Sequence, residues 1–193
     1  MSEEVPAPAR LPTIGAEEAT ALAGEVGLAP QLASLNVFRV LLHQPRAARA
    51  TADLLLELLS GRALDHRSRE LAIMRIGWAT GSEYEWTQHW TLARQLFGCG
   101  EEDLLAVRDW ERSDRLGERD RAVLAATDET LSAGALSAAT FARCRETLGG
   151  DAAVVELVLA IGLWRAVSEL TRSLAVPLED GVASWPPDGR CPP

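Results

Sequence analysis

Lysine is missing from this sequence. All 19 basic residues of the 193-residue chain are arginines. The absence excludes a Schiff-base lysine, a pyridoxal phosphate anchor and a P-loop, because each of them requires lysine. The arginines are outnumbered by 28 acidic residues, which leaves a net charge of −9. This acidic balance argues against nucleic acid or an anionic membrane surface as a partner.

Cysteine is scarce, and long apolar runs are absent. Cys99, Cys144 and Cys191 are far apart and form no CxxC, so neither a dithiol redox motif nor a zinc knuckle is encoded. No stretch approaches the ~18 apolar residues of a membrane-spanning helix. The first residues also lack the basic-then-apolar plan of a signal peptide. We therefore expect a cytoplasmic protein that does not enter a membrane.

Few residues are β-branched, while alanine, leucine and glutamate dominate, and this composition favours an all-α fold. The apolar period is helical throughout, and glycines and prolines divide it into helices. The stretch that starts at Asp151 is the longest and most apolar of these, and we expect it to be largely buried. The Pro-rich ends, residues 1–12 and 182–193, are predicted to be flexible segments flanking a single domain at 13–181.

A glycine turn separates two helices that we expect to pack antiparallel. Glu70 lies eleven residues before Gly81, and His89 lies eight residues after it. At ~1.5 Å per residue they are about 16 and 12 Å from the turn, so their levels differ by about one helical turn. Glu85 precedes His89 by four residues and shares its helix face. This spacing can bring two carboxylates and an imidazole together between the helices.

Such a trio suits proton transfer, because a carboxyl group in an apolar setting has a raised pKa and an imidazole titrates near neutrality. Other interpretations remain open. Ser82 can be the N-cap of the second helix, with Glu85 completing a capping box. Glu70 can be an ion-pair partner of Arg69, and His89 an ordinary helix histidine. Two carboxylates and a histidine also have the composition of a facial-triad metal site, although we assign neither a metal nor a cofactor.

Aromatic residues are few but concentrate around this turn. Tyr84 and Trp86, with Trp78 and Trp90, could wall a water-poor site for a planar or conjugated ligand. Tryptophans spaced i, i+4 more commonly pack in a core or at a subunit interface. We include Ser82, Tyr84 and Trp86 among the candidate substrate-binding residues.

The stretch RELAIMRIGWATGSEYEWTQHWTLARQLFG resembles the core motif of the carboxymuconolactone decarboxylase/AhpD-like family, and the resemblance extends over about residues 34–181. It implies an all-α, AhpD-like helical fold with an antiparallel helix hairpin at its core, assembled as a homo-oligomer (dimer, trimer or hexamer). Glu70 and His89 match the outer positions of the alkylhydroperoxidase motif, while Ser82 and Glu85 stand where its two cysteines would be. Because both thiols are missing, dithiol peroxidase chemistry is not expected.

The decarboxylase-type branch keeps a glutamate–aromatic stretch and the histidine, as EYEWTQH does here. The resemblance therefore implies a lyase or isomerase, and we expect it to act in secondary metabolism. It would carry out cofactor-free decarboxylation, isomerisation or lactone opening on a small organic acid, lactone or polyketide-like metabolite. His89 would be the general base or acid, Glu85 the second proton-transfer group or orienter, and Glu70 the group that fixes the imidazole. The alternatives are a hydroperoxidase relative that has lost its dithiol and a non-catalytic ligand- or partner-binding scaffold.

One further substrate contact is predicted from a departure in the last helix. Family members often carry an aromatic–asparagine pair where this chain has Trp164 and Arg165. Arg165 could clamp a substrate carboxylate with two hydrogen bonds. More simply, it could pair with Glu156 or Glu169.

Overall fold

The structure, a computed structural model, describes residues 9–193, and these are all-α as predicted. No strand occurs among the described residues, which form ten α-helices and a 3₁₀ turn (Val107–Asp109). The helices are α1 (Ala16–Val26), α2 (Pro30–Ala33), α3 (Asn36–Leu41), α4 (Pro45–Ser60), α5 (His66–Thr80), α6 (Glu83–Gln95), α7 (Glu101–Ala106), α8 (Glu118–Ala133), α9 (Ala138–Leu148) and α10 (Asp151–Leu174). Across the described part of the chain, no helix has both the length and the apolar character needed to cross a membrane.

The chain divides into two compact units. The first contains the residues up to Leu56 and the segment Leu170–Val182. Within it, the backbone N–H of Asn36 donates to the Glu179 carboxylate at 2.9 Å. Of the arm predicted at 1–12, residues 1–8 lie outside the described residues. The predicted single domain at 13–181 stays a prediction.

The second unit contains Glu57–Glu169 and Ala183–Pro193. Helices α5 and α6 supply half of an apolar core in this unit, and α5 is buried on nearly all sides. The core residues are Leu71, Met74, Trp78, Trp86, Trp90, Ala93, Cys99, Leu104, Val107, Leu116, Leu124 and Trp185.

Two glycines shape the α5–α6 hairpin. Gly81 ends α5 with φ +67°, a left-handed conformation that favours glycine. One turn earlier, a Cβ on Gly77 would lie 3.0 Å from the backbone N of Trp86. The absence of a side chain at Gly77 therefore lets the two helices approach closely, which positions the residues on their facing sides.

The C-terminal segment is packed rather than flexible around Trp185. This side chain is buried, with ring centroids 6.1 Å from Trp78 and 6.0 Å from Trp86. The Trp86 indole N–H donates to the Pro186 carbonyl at 2.8 Å. The flexibility predicted for residues 182–193 is wrong here, because a large apolar ring outweighs the local preference of a Pro-rich segment for solvent.

The last helix, α10, is less buried than predicted. Leu157, Ile161 and Trp164 face the interior. Val155, Val158 and Leu159 are 59%, 39% and 48% exposed and form an apolar strip on the opposite side. The apolar residues of α10 thus occupy both faces of the helix, and the described residues cover one of these faces.

Candidate acid/base site

The hairpin brings together the three residues predicted to carry proton transfer. Glu70 lies on α5, while Glu85 and His89 lie one turn apart on α6. His89 Nδ1 is 2.8 Å from Glu70 Oε2, and His89 Nε2 is 3.9 Å from Glu85 Oε2. Glu70 and His89 therefore lie at matching heights on the two antiparallel helices, close enough for a hydrogen bond. This arrangement places the imidazole between two carboxyl groups.

Glu70 is held by a buried arginine as well as by the histidine. Arg69 Nε and Nη2 both donate to Glu70 Oε1 at 3.1 Å, and both side chains are fully buried. The remaining Arg69 Nη1 donates to the Leu58 and Leu59 carbonyls and to His66 Nδ1. A buried carboxylate is tolerated only when it is paired and hydrogen-bonded. Arg69 thus supplies the compensating charge, and the ion-pair interpretation of Glu70 holds alongside its contact with His89.

Trp164 is the residue that the sequence did not single out. Its indole N–H donates to His89 Nε2 at 2.8 Å, and the two rings meet edge to face with centroids 5.6 Å apart. An indole can only donate, so His89 Nε2 accepts and the ring proton of the neutral histidine lies on Nδ1, facing Glu70. Both ring nitrogens of His89 are therefore engaged. The only signal in the sequence was the Trp164–Arg165 pair, in which the tryptophan proves to be the member that reaches the histidine.

Burial perturbs the ionisation of Glu85. Loss of solvent raises the pKa of this carboxyl to about 7; His89 opposes the rise and Glu70 adds to it. A carboxyl group with this pKa exists in both protonation states near neutral pH. Glu85 can therefore donate or accept a proton under ordinary conditions.

The pKa of His89 reflects opposing influences. Burial lowers it, whereas the charge of Glu70, its hydrogen bond to Nδ1 and the charge of Glu85 raise it, so that the pKa lies above the ordinary value. The hydrogen bond from Trp164 acts the other way, since it requires the lone pair on Nε2. Proton gain at Nε2 therefore requires the indole N–H to leave.

The cluster is almost entirely shielded from solvent. The side chains of His89 and Glu85 are 9% and 5% exposed, whereas that of Glu70 is fully buried. A molecule arriving from solvent would meet Glu85 and His89 first, with the Glu70–Arg69 pair behind them. A separate surface cleft of about 480 Å³ is lined by Trp90, Thr91, Arg94, Gln95, Gly98, Cys99 and Glu101, and none of the three acid/base residues lines it.

Two of the predicted substrate-binding residues make their polar contacts elsewhere. Trp86 is fully buried and donates to the Pro186 carbonyl. Arg165 donates to the Glu169 carboxylate at 2.9 Å and to the Thr130 carbonyl at 3.3 Å. The simpler interpretation of Arg165, as the partner of Glu169, is therefore confirmed. Neighbouring positions on a helix point in different directions, so Trp164 faces His89 and Arg165 does not.

The other two lie at the start of α6. Ser82 occupies the N-cap position and is buried, but its side chain makes no capping hydrogen bond. The predicted capping box is therefore wrong, and Glu85, its expected second member, instead lies 3.9 Å from His89. Tyr84 is buried one residue before Glu85. A substrate-binding role for Ser82 and Tyr84 stays a prediction.

The cysteines do not replace the missing redox thiols. Cys99 and Cys144 are buried, Cys191 is exposed, and none is in a disulfide. Burial raises the pKa of the Cys99 thiol to about 11 and also raises that of Cys144. A thiol with a raised pKa contains little thiolate, the reactive form, at neutral pH. Within residues 9–193, no three His, Cys, Asp or Glu side chains are grouped so that they could hold a metal ion.

Comparison with known proteins agrees with this fold and motif. The family model of the carboxymuconolactone decarboxylase family matches residues 45–129, which span α4 to most of α8 and include Glu70, Glu85 and His89. The resemblance to the carboxymuconolactone decarboxylase/AhpD-like family that the sequence indicated is thereby confirmed. No significant match was found among curated proteins.

Solved structures with this fold include proteins described as peroxidase-related and one debrominase. An uncharacterized peroxidase-related protein from a Silicibacter species has a TM-score of 0.73 at 14% identity, covering 94% of this chain and 97% of its own. A Ralstonia eutropha protein, described as an alkylhydroperoxidase AhpD core, has a TM-score of 0.71 at 17% identity, with coverage of 90% and 94%. The debrominase Bmp8, in complex with 2,3,4-tribromopyrrole, has a TM-score of 0.68 at 16% identity and 85% coverage of both chains. At these identities the likeness is one of fold.

Proposed function

We propose that this protein is a carboxymuconolactone decarboxylase-like enzyme that transfers protons without a cofactor on a small organic acid, lactone or polyketide-like metabolite. The observation that carries the proposal is the Glu70–His89–Glu85 chain, in which a buried ion pair orients an imidazole next to a carboxyl group with a pKa of about 7. The reaction would be decarboxylation, isomerisation or lactone opening. A lyase or isomerase role in secondary metabolism and a cytoplasmic location belong to the same proposal.

The chemistry follows from the position of each group. His89 Nε2 takes a proton from a carbon next to a carbonyl or carboxyl group, which leaves an enolate and an imidazolium. The Glu70 carboxylate on Nδ1 stabilises this imidazolium, as an oriented carboxylate does in other acid/base sites. Protonated Glu85 returns a proton to a second carbon, which completes an isomerisation. When carbon dioxide is lost instead, the resulting carbanion takes the proton from Glu85.

A dithiol peroxidase cycle is not part of the proposal, although structural neighbours are described as peroxidase-related. That cycle needs a reactive thiolate and a second, resolving thiol. The two positions that would carry them hold Ser82 and Glu85. Debrominase Bmp8 shares the fold, so the scaffold accommodates more than one chemistry, and the residues on the hairpin decide between them.

Proton transfer can be measured directly as hydrogen–deuterium exchange. We expect the protein to catalyse exchange at the acidic carbon of some β,γ-unsaturated acids or lactones in D₂O, followed by proton NMR. Glu85→Gln and His89→Gln should each lower the rate by about 10²- to 10⁴-fold, the usual contribution of a positioned acid or base. Glu83→Gln is the matched control, because Glu83 is on the same helix but its carboxylate contacts Ser184.

The same experiment separates the alternatives. If both variants exchange as fast as the wild type, the acid/base assignment fails. If neither the wild type nor the variants exchange any substrate, yet the wild type binds these acids and His89→Gln does not, the non-catalytic ligand-binding scaffold is supported instead. A homo-oligomer is also proposed, on the strength of the exposed apolar strip on α10.

A further inference from the structure

Trp164 forms a hydrogen bond to His89 Nε2, the nitrogen with which His89 would act as a general base. Its indole N–H points at His89 Nε2 from α10, and the two residues are 75 positions apart in the chain. Both side chains are buried, and the donor–acceptor distance of 2.8 Å is short for an N–H···N hydrogen bond. Its donor is aligned with the one lone pair that neutral His89 keeps available.

This contact sets the tautomer of His89. Free histidine can carry its proton on either ring nitrogen, and the hydrogen bonds around the ring decide which one is occupied. Indole donates but does not accept, so Nε2 must be bare in this arrangement. The proton then lies on Nδ1 and is donated to Glu70 at 2.8 Å. The two contacts therefore select the same tautomer.

The other histidines select the opposite tautomer. His66 Nδ1 lies 3.0 Å from Arg69 Nη1, which can only donate, so the proton of His66 lies on Nε2. His43 Nε2 lies 2.9 Å from the Pro12 carbonyl, which can only accept, and this also puts the proton on Nε2. Both residues are thus internal references against which His89 can be distinguished.

Glu85 competes with Trp164 for the same nitrogen. Its Oε2 lies 3.9 Å from His89 Nε2, beyond hydrogen-bond distance. The charged groups that face the imidazole are Glu70 and Arg69 from α5 and Glu85 from its own helix, whereas α10 contributes the uncharged indole. A proton on Nε2 can be shared with Glu85 only after the indole N–H has moved away. Trp164 and Glu85 therefore define two alternative partners of one nitrogen.

We propose that Trp164 is a positioning residue: its indole N–H holds His89 in the Nδ1–H tautomer and must leave Nε2 before that nitrogen takes a proton from a substrate. The first half concerns the resting protein and is independent of catalysis. The second half rests on the proposed function. In it, release of the indole exposes the Nε2 lone pair, the substrate proton moves to Nε2, and Glu70 on Nδ1 balances the charge.

The tautomers can be measured by ¹⁵N NMR of full-length protein labelled with ¹⁵N at histidine and tryptophan, at a pH where the imidazoles are neutral. His89 is expected to show a protonated Nδ1 and a bare Nε2, while His43 and His66 show the reverse. A coupling across the hydrogen bond between Trp164 Nε1 and His89 Nε2 is also expected. Because this measurement uses the wild-type protein, it does not depend on any variant folding. A protonated Nε2 on neutral His89 would overturn the proposal.

Trp164→Phe removes the donor and keeps an aromatic ring. Loss of a hydrogen bond to the neutral form should raise the pKa of His89 by about 0.5 to 1, and the acid limb of a pH–rate profile should move with it. Trp110→Phe is the control, because Trp110 Nε1 donates to Asp128 at 2.9 Å and not to a histidine. An unchanged His89 titration in a folded Trp164→Phe variant would overturn the proposal.

The proposed proton-transfer function and the proposed role of Trp164 can be disproved independently of each other. If the wild type exchanges no organic acid while His89 shows the expected tautomer, the proposed function fails and the tautomer assignment stands. If Glu85→Gln and His89→Gln abolish exchange while neutral His89 carries its proton on Nε2, the acid/base function stands and the role of Trp164 fails.

Discussion

At the scale of single residues, the site combines one fixed charge pair with one adjustable carboxyl group. Arg69 and Glu70 are fully buried and paired, and each compensates the charge of the other. Among residues 9–193, the one group within salt-bridge distance of Glu85 is His89, at 3.9 Å. Burial therefore acts on Glu85 directly and raises its pKa to about 7. The fixed pair orients the imidazole, and the adjustable group is left to exchange protons.

This difference predicts how stability depends on pH. The pKa of Glu85 rises from 4.5 in the unfolded chain to about 7 in the fold. The folded state binds the proton more tightly, so the free energy of unfolding falls as pH rises through this window, by about 3 kcal/mol from this group. The raised pKa of His89 acts in the same direction, since its contribution is lost as pH rises through the folded value. Denaturant unfolding at pH 4.5 and at pH 8 measures the combined loss.

Glu85→Gln should remove the contribution of Glu85 to this pH dependence, since glutamine does not titrate. The variant is expected to be more stable than the wild type at pH 8 and to retain the slope that comes from His89. Glu83→Gln, on the same helix, should keep the wild-type slope. A Glu85→Gln variant that loses as much stability between the two pH values as the wild type would mean that Glu85 titrates normally in the fold.

The sequence predicted the part of the site that local spacing determines. Glu70, Glu85 and His89 lie within twenty residues around Gly81, and helix geometry alone gives their relative levels. Trp164 could not be found in this way, because its contact with His89 joins residues 75 positions apart and depends on how α10 packs. The direction in which the Arg165 side chain points also depends on how α10 packs, so it could not be found from local spacing either. Ser82 shows a different limit, since its position fits an N-cap but its side chain does not form the bond.

At the scale of helices, the site depends on how closely α5 and α6 approach. Gly77 on α5 faces the backbone of Trp86 on α6, so any side chain there must push the helices apart. Glu70 and His89 lie on the same two helices and share a hydrogen bond of 2.8 Å. Moving the two helices apart by a few tenths of an ångström would therefore lengthen the hydrogen bond between Glu70 and the imidazole of His89. The glycine is a requirement of packing and not of backbone conformation.

Gly77→Ala tests this close approach. The added Cβ would lie 3.0 Å from Trp86 N and 3.3 Å from its Cα, and neither backbone atom can move alone. We expect a loss of about 1 to 3 kcal/mol in the free energy of unfolding, the usual cost of overpacking. The matched control is Gly24→Ala inside α1, where a Cβ likewise meets nothing within 4 Å. This variant should gain about 0.5 to 1 kcal/mol from helix propensity. Equal stability changes in the two variants would contradict the packing argument.

At the scale of the whole molecule, the apolar strip on α10 is the feature that a single chain leaves unexplained. Val155, Val158 and Leu159 are 39% to 59% exposed on one side of the helix, and Gly162 lies exposed one turn further on. Contiguous apolar surface on a helix is commonly covered by another protein surface. The opposite side of the same helix carries Trp164, which touches His89. An assembly built on this strip would therefore hold in place the helix that positions the imidazole.

Charge on the strip should separate the copies if the homo-oligomer uses it. We expect the wild type to sediment as an oligomer at micromolar concentration, and the double variant Val155→Glu, Leu159→Glu to sediment as a monomer, because burying two carboxylates in an apolar contact costs several kcal/mol. Leu96→Glu is the control, since Leu96 is 70% exposed near the end of α6, away from the strip. A wild type that sediments as a monomer would remove the basis for the oligomer. A double variant that stays oligomeric would place the contact elsewhere on the surface.

The ¹⁵N signals of His89 in the separated chains test whether assembly affects the site. If assembly holds α10 in place, the hydrogen bond from Trp164 to His89 should weaken when the oligomer dissociates. Unchanged signals would show that each chain positions its imidazole alone.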